Sequence, residues 1–423
     1  MSVVKIEKCI NFAKKQCYTI FKKNKNKTKE EFFMKQKSQN TQRGITLVAL
    51  IITIIVLLIL AIVSIRLVMN DGIIGKAEYG RDQYPVSEAG DIGKGTKIKT
   101  VADYPDATPG QANTTENTKY TSNGKTAVIP AGYTVDATQN SIDNGLVIAK
   151  DGNEWVWIPV SNEDFSAMFG TATDDGWTMS GTDVKTKYKT NSAIISGVTR
   201  GNPGTTDWRE PGVLNNDSYD KNATNLSTAG LGANLSEMAT KLRDDYKNMI
   251  ASIKKNGGFY VGRYELSNAG TKKNQPSLTD TNWYNLYAKC KTLGDESTTY
   301  SRMIWGCQWD QVCKFINTSG DKVSLTDSST YGNYKNSSGN ADVSGKGSKQ
   351  VTGYSDYWKA NNIYDIAGNC WEWTQEAYYN GIRISRGGNY DSYGAGYPVT
   401  NRVPDNATSA GSSTSSRPVL YIK

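Results

Sequence analysis

The chain contains no histidine. This removes the imidazole that a Ser-His-Asp triad, a Cys-His pair or a His-bearing zinc site needs as base or ligand. Its six cysteines, Cys9, Cys17, Cys290, Cys307, Cys313 and Cys370, include no CxxC pair, so the spacing argues against a zinc knuckle. In an extracellular body the last four could be joined as disulfides or stay as buried thiols, and both readings stand at this stage. Carboxylates such as Glu372 are then the visible candidates for catalysis, and no catalytic set is expected. Binding chemistry is better represented. The stretch from Asn389 to Ser415 has few aliphatic residues and is built from Tyr, Ser, Gly, Asn, Asp and Thr. Tyrosine supplies rigid amphipathic contact area and the small polar residues supply adaptable hydrogen bonds, which is the composition of binding loops. Tyr390, Asp391, Ser392, Tyr393, Tyr397, Asn401 and Arg402 are the contact candidates, and an inert solvated loop is the competing reading.

Those residues need a support. Between Leu235 and Ile253 the apolar residues Leu235, Met238, Leu242, Tyr246, Met249 and Ile253 recur at spacings of three and four. This predicts an amphipathic helix with Asn234 or Ser236 as N-cap and Gly257 as its stop. Asn153–Val160 and the run GFYVGRYEL read as buried strands. Two shorter helices are expected near Trp283–Leu293 and Gln308–Ile316, with Cys290 and Cys313 on their apolar faces. The polar region 165–232 reads as an insertion with few strong signals and 317–359 as a looped insertion, and a short strand is expected at Lys97–Val101. Trp371 and Trp373 are expected to anchor the core.

The charge of +8 is unevenly placed. Residues 1–44 hold eleven Lys, one Arg and three Glu, or +9, which leaves 8 − 9 = −1 for the remainder. The basic character belongs to the N-terminal tail, so no nucleic-acid partner is expected for the body. From Ile45 to Ile65 the sequence carries no charge. As a helix it would be roughly 30 Å long, enough to cross a bilayer core. The Lys-rich sequence before it puts the N-terminus in the cytoplasm and the body outside, in a single pass of the cell membrane. The expected organisation is a basic leader (1–44, with Met34 as the expected translation start), a transmembrane helix (45–69), a polar spacer (70–125) and a folded body (126–423).

The segments YDIAGNCWEW (Tyr364–Trp373), SRGGNY (Ser385–Tyr390) and SRPVLYIK (Ser416–Lys423) resemble the formylglycine-generating enzyme family of sulfatase-modifying proteins. WVWIP, GGFYVGRYE and WGCQWDQVCKFI upstream extend the resemblance over 126–423. It implies an α+β body with a C-type lectin-like fold. It also implies a calcium loop in which Asp365, Gly368, Cys370 and Glu372 supply side-chain and carbonyl oxygens to a hard cation, in a structural role. The alternative is that Asp365 and Glu372 cap turns. The family's copper-dependent chemistry relies on two cysteines after the double glycine, and Ser392 and Tyr397 stand in their places. Without thiolates Cu(I) has no soft ligand, so neither copper nor the family's activity is expected. The composition of 389–415 further resembles the variable proteins of diversity-generating retroelements, whose final segment is diversified at adenine-rich codons.

The junction RGITLVAL resembles type IV prepilins, which implies cleavage by a prepilin peptidase between Gly44 and Ile45, with the pilin-like helix retained. Ala49 replaces the glutamate usual at the fifth mature position, which weighs against filament assembly with other pilins. The resulting expectation is a cell-surface protein that binds an extracellular protein or glycan ligand, with a structural filament subunit as the alternative.

Overall fold

The computed structural model describes residues 99–169, 223–317, 323–338, 343–377 and 382–423. By chain contacts the protein divides into two units, 1–76 and 77–423, and every described residue belongs to the second. The expected leader, the Gly44/Ile45 processing site and the 45–69 helix therefore lie outside the described residues. Among those residues no helix is long and apolar enough to cross a membrane.

In chain order, strands β1 (Thr118–Ser122), β2 (Lys125–Ile129), β3 (Thr134–Val135), β4 (Val147–Lys150) and β5 (Asn153–Pro159) precede helices α1 (Asn162–Phe169), α2 (Ala223–Thr228) and α3 (Leu235–Asn256). Strand β6 (Gly258–Gly262), helix α4 (Trp283–Cys290), strand β7 (Thr299–Met303) and helix α5 (Gly306–Asn317) follow. The last part is all strand: β8 (Lys359–Ala360), β9 (Ile363–Tyr364), β10 (Trp371–Ala377), β11 (Ile382–Arg386), β12 (Arg402–Asn406), β13 (Thr414–Ser416) and β14 (Pro418–Ile422). The unit is mixed α+β.

Its centre is a six-stranded sheet in the order β3-β4-β5-β6-β14-β7. The side-chain period of two explains why its strands read as continuous apolar runs. Val156 and Ile158 of β5, Phe259 and Val261 of β6 and Val419 and Tyr421 of β14 enter one core with α3 and α5. The alternate residues Trp155, Trp157, Tyr260, Leu420 and Ile422 enter a second core on the opposite face. Both faces are covered, so neither needs a polar alternation.

Helix α3 forms where its periodicity predicts. The Asn234 side chain accepts the Glu237 amide at 3.0 Å, and Gly257 ends the helix in the left-handed region at φ +71°. The cap removes one orphaned N–H and the glycine reverses the chain without a Cβ penalty. Its apolar stripe is divided between two cores: Tyr246, Met249 and Ile253 face α5, while Met238 and Leu242 pack with α4, Trp283 and Trp373.

Two expectations change and a third, the looped region 317–359, holds with an addition. The folded unit begins upstream of 126, because Val101 and Tyr104 are buried in the second core and β1 pairs with β2 in an antiparallel hairpin. Val101–Asp103 is a 3-10 turn capped by Thr100 and Asp103 rather than part of a strand. The capping pair favours the turn over the extended form. The region after α5 forms no regular element among the described residues before β8, yet Leu325, Tyr331 and Tyr334 are buried in the first core. A polar segment can be anchored by a few tyrosines whose hydroxyls find partners.

Candidate functional site

Strands β12-β11-β10-β13 form the second sheet. The β11–β12 pair is antiparallel, with Arg386 opposite Arg402. Residues 387–401 are consequently the loop of a long hairpin, and they contain most of the predicted contact residues.

At the foot of this hairpin lies a closed square of charge. Arg386 Nη2 is 2.8 Å from Asp310 Oδ1, and Arg402 Nη2 is 2.6 Å from Asp310 Oδ2. Arg402 Nε donates to both Glu376 oxygens at 3.0 Å, and Arg386 Nη1 stands 3.6 Å from Glu376. All four side chains are buried. Two guanidinium groups balance two carboxylates, which is the condition under which charge is tolerated away from water. Arg402, expected among the ligand contacts, is 1% exposed and belongs to this square. Its place in a polar stretch conceals this, because the partners Asp310 and Glu376 come from α5 and β10.

Above the square the loop is held largely by its main chain. The Tyr334 hydroxyl lies 2.6 Å from Gly387 O and 3.0 Å from Tyr397 O. The Val399 amide donates to Ser328 Oγ and its carbonyl accepts Trp309 Nε1. The Gly394 amide donates to Asn336 Oδ1, its carbonyl accepts the Ser328 amide, and the Ser392 carbonyl accepts the Lys335 amide. Gly388 sits at φ +77°, where a Cβ would meet Tyr397 O at 2.6 Å. The double glycine is therefore required by conformation and by close approach of the backbone.

The side chains that remain point outward to differing degrees. Tyr393 is 57% exposed and Tyr397 43%, with the Tyr397 ring edge-on to Trp371 at 5.4 Å. Asp391 is exposed and lies 3.2 Å from Lys335 Nζ, a surface pair of little energetic weight. Tyr390, Ser392 and Asn401 are half-buried, and Ser392 Oγ donates to Asn389 Oδ1. The predicted set thus separates: Tyr390, Asp391, Ser392, Tyr393, Tyr397 and Asn401 share the loop's outer part, and Arg402 does not. Trp373 is buried in the core as expected, whereas Trp371 is half-buried beside Tyr397.

The second predicted site lies at β9–β10. Asp365 has φ +55° and its Oδ2 accepts the Gly353 amide at 2.7 Å. The Gly368 amide donates to the Gly387 carbonyl, and the Cys370 amide donates to Glu265 Oε1 at 2.9 Å. Glu372 accepts Arg417 Nε on both oxygens, at 3.1 and 2.9 Å. The charge opposite Glu372 in this structure is a guanidinium, so its oxygens are already engaged. Among the described residues no group of three or more His, Cys, Asp or Glu is gathered as if to hold a metal ion.

Glu265, missed in the sequence, is the third carboxylate here. It is fully buried and accepts Asn369 Nδ2 at 2.7 Å and the Ser277 hydroxyl as well as the Cys370 amide. An acidic residue inside the apolar run GFYVGRYEL was its one signal. Burial, reinforced by Asp365 and Glu372 nearby, raises the Glu265 carboxyl well above the usual range. Burial likewise holds Asp365 up to about 6, and Glu372 up to about 7 against the pull of Arg417. Cys290, Cys307, Cys313 and Cys370 are all free and buried, which settles the earlier alternatives in favour of core thiols. Burial pushes Cys290 and Cys313 up to about 12, so neither is a thiolate nucleophile near neutral pH.

No protein-family model and no curated protein matches the chain. Among solved structures, the crystal structure of CarF is similar over 39% of this chain and 87% of its own, at 13% identity and a TM-score of 0.28. Treponema denticola variable protein 1 is similar over 72% of this chain and 99% of its own, at 17% identity and a TM-score of 0.22.

Proposed function

We propose that this chain is a membrane-anchored, surface-displayed binding protein. Its C-type lectin-like body, of the formylglycine-generating-enzyme type, holds out the 389–401 loop to an extracellular protein or glycan. The observation that carries the reading is the pairing of a fixed backbone with outward tyrosines. Tyr393 and Tyr397 stand exposed on a turn whose main chain is tied to α5 and to residues 324–338. Exposed aromatic rings on a rigid frame lose little entropy when they meet a partner, which is why such residues dominate binding surfaces. Ser392 and Tyr397 in place of thiols, and cysteines buried as thiols elsewhere, favour binding over the family's oxidative chemistry.

The test is a protein and glycan array probed with the unit Ala77–Lys423, alongside Tyr393→Ala/Tyr397→Ala. Binding to a ligand found on the array should fall at least about tenfold in the double variant, with its unfolding midpoint unchanged. Equal binding by both proteins would remove the loop from the function.

A further inference from the structure

Every large apolar side chain that stands exposed among the described residues is a tyrosine, and the four fall on two turns. Tyr393 and Tyr397 form one pair. The other is Tyr354, 43% exposed, and Tyr357, 55% exposed.

The second turn is also built on a fixed base. Its Trp358 amide donates to the Ser355 carbonyl at 3.1 Å and its Tyr357 amide to Ser355 Oγ at 3.2 Å. Thr352 exchanges main-chain bonds with Asn274 and Gln275, and Gly353 at φ +65° donates to Asp365. The Tyr354 ring stacks on the buried Trp358 with centroids 5.7 Å apart and planes at 24°. Beneath lie Tyr264 and Tyr364, stacked at 5.2 Å.

Three cations gather on Tyr364: Lys359 at 5.3 Å from the ring centroid, and Lys273 and Arg263 each at 5.4 Å. Arg263 is answered by Glu154 at 2.5 Å and Lys359 by Asp356 at 3.6 Å. Lys273 is exposed and, with Lys359, acts on the Asp356 carboxylate of the same turn. It belongs to the same surface as the turn, because its Cγ lies 3.1 Å from where a Cβ on Gly353 would be. Three cations, Arg263, Lys273 and Lys359, therefore stand against two carboxylates, Glu154 and Asp356, and leave one positive charge in excess on the surface that carries the two tyrosines.

We infer that Tyr354, Tyr357 and Lys273 form a second binding site, for a polysaccharide of uronic acid units. The rings present flat faces to the C–H surface of a sugar, and the excess positive charge pairs with a carboxylate of one sugar unit. A nucleic acid is an equally dense polyanion whose bases could stack on the same rings, and the oligothymidylate arm of the experiment decides between the two. An acidic peptide would satisfy Lys273 but offers less to the rings.

The experiment uses the full chain in detergent micelles, with immobilised polygalacturonate as probe and dextran, polyglutamate and an oligothymidylate as comparisons. Polygalacturonate is expected to bind best and to weaken with added salt. Lys273→Gln and, separately, Tyr357→Ala should each reduce affinity by about tenfold without moving the unfolding midpoint. Tyr393→Ala/Tyr397→Ala should bind polygalacturonate as the parent does, which separates this site from the hairpin loop. Absence of polygalacturonate binding, equal binding of dextran, a preference for polyglutamate or oligothymidylate, or full binding by Lys273→Gln would each overturn the inference.

Discussion

Replacing Arg402 with Met decides whether this residue is a ligand contact or part of the frame. In the structure Arg402 supplies three of the contacts that hold the buried square, two to Glu376 and one to Asp310. Its removal leaves two buried carboxylates facing one guanidinium. Of the square's own contacts, Glu376 would keep Arg386 at 3.6 Å and Asp310 would keep Arg386 at 2.8 Å. Breaking a buried pair by deleting one partner costs about 3–5 kcal/mol, because the remaining charge cannot be hydrated. At about 2–3 °C per kcal/mol for a large domain, the melting temperature should fall by roughly 6–15 °C. Pairing the change with Glu376→Gln removes one charge of each sign, so the double variant should be more stable than Arg402→Met alone. Thermal and urea unfolding of the parent and the two variants give these differences directly. A loss below about 1 kcal/mol for Arg402→Met, within the range of ordinary surface changes, would refute the argument. A double variant no better than the single one would equally refute the electrostatic part of it.

Two further outcomes concern the carboxylates behind the hairpin. Asp365 has its pKa raised by burial from 3.8 to about 6, so between those values the folded chain binds more protons than the unfolded one. Its contribution is complete below about pH 4 and is lost as pH rises through 6, with a shift of 6 − 3.8 = 2.2 units setting an upper size of about 3 kcal/mol. Stability measured by urea midpoint should decline over that interval, and Asp365→Asn should flatten the decline; a parent curve that rises instead would contradict the assignment. Calcium titration separates the two uses of Glu372. With Arg417 on both of its oxygens, added Ca²⁺ should leave the melting temperature unchanged, and a rise of several degrees would show a cation bound at the 365–372 loop.

Elements whose side chains follow a single period were readable in the sequence. Helix α3, with Asn234 and Gly257 at its ends, and strands β5 and β6 fall where the apolar spacing puts them. Periodicity carries no information about charge pairing, and that is where the reading failed. Arg386, Arg402 and Arg417 are polar letters in or beside polar stretches, yet each is buried against a carboxylate distant in the chain. The same blindness hid Glu265. The upstream boundary was misplaced because a hairpin as short as β1–β2, with Lys119 and Lys125 among its ten strand residues, has the composition of a linker. Of the candidate site, composition identified the loop but could not say which side chains stay outside. The Tyr354–Tyr357 turn was passed over because its tyrosines are diluted by a long polar segment.

The hairpin's construction makes one last expectation specific. Most bonds that tie the loop to its surroundings use its backbone: the amides of Tyr390, Gly394 and Val399 and the carbonyls of Ser392, Gly394, Tyr397 and Val399. Such bonds survive a change of side chain. Tyr390, Asp391, Tyr393, Tyr397 and Asn401 should therefore be replaceable together by Ser or Asn at a cost of about 1–2 kcal/mol, the sum of several near-neutral surface changes. Gly394 is a different case, since a Cβ there would stand 2.4 Å from the Ser329 amide nitrogen and the backbone would have to move. Gly394→Ser alone should cost more than the five replacements combined. Unfolding midpoints of the two variants compare these directly. If the five-residue variant is the less stable one, the loop's side chains are part of the fold, and the division between a backbone-held frame and a replaceable outer surface does not hold.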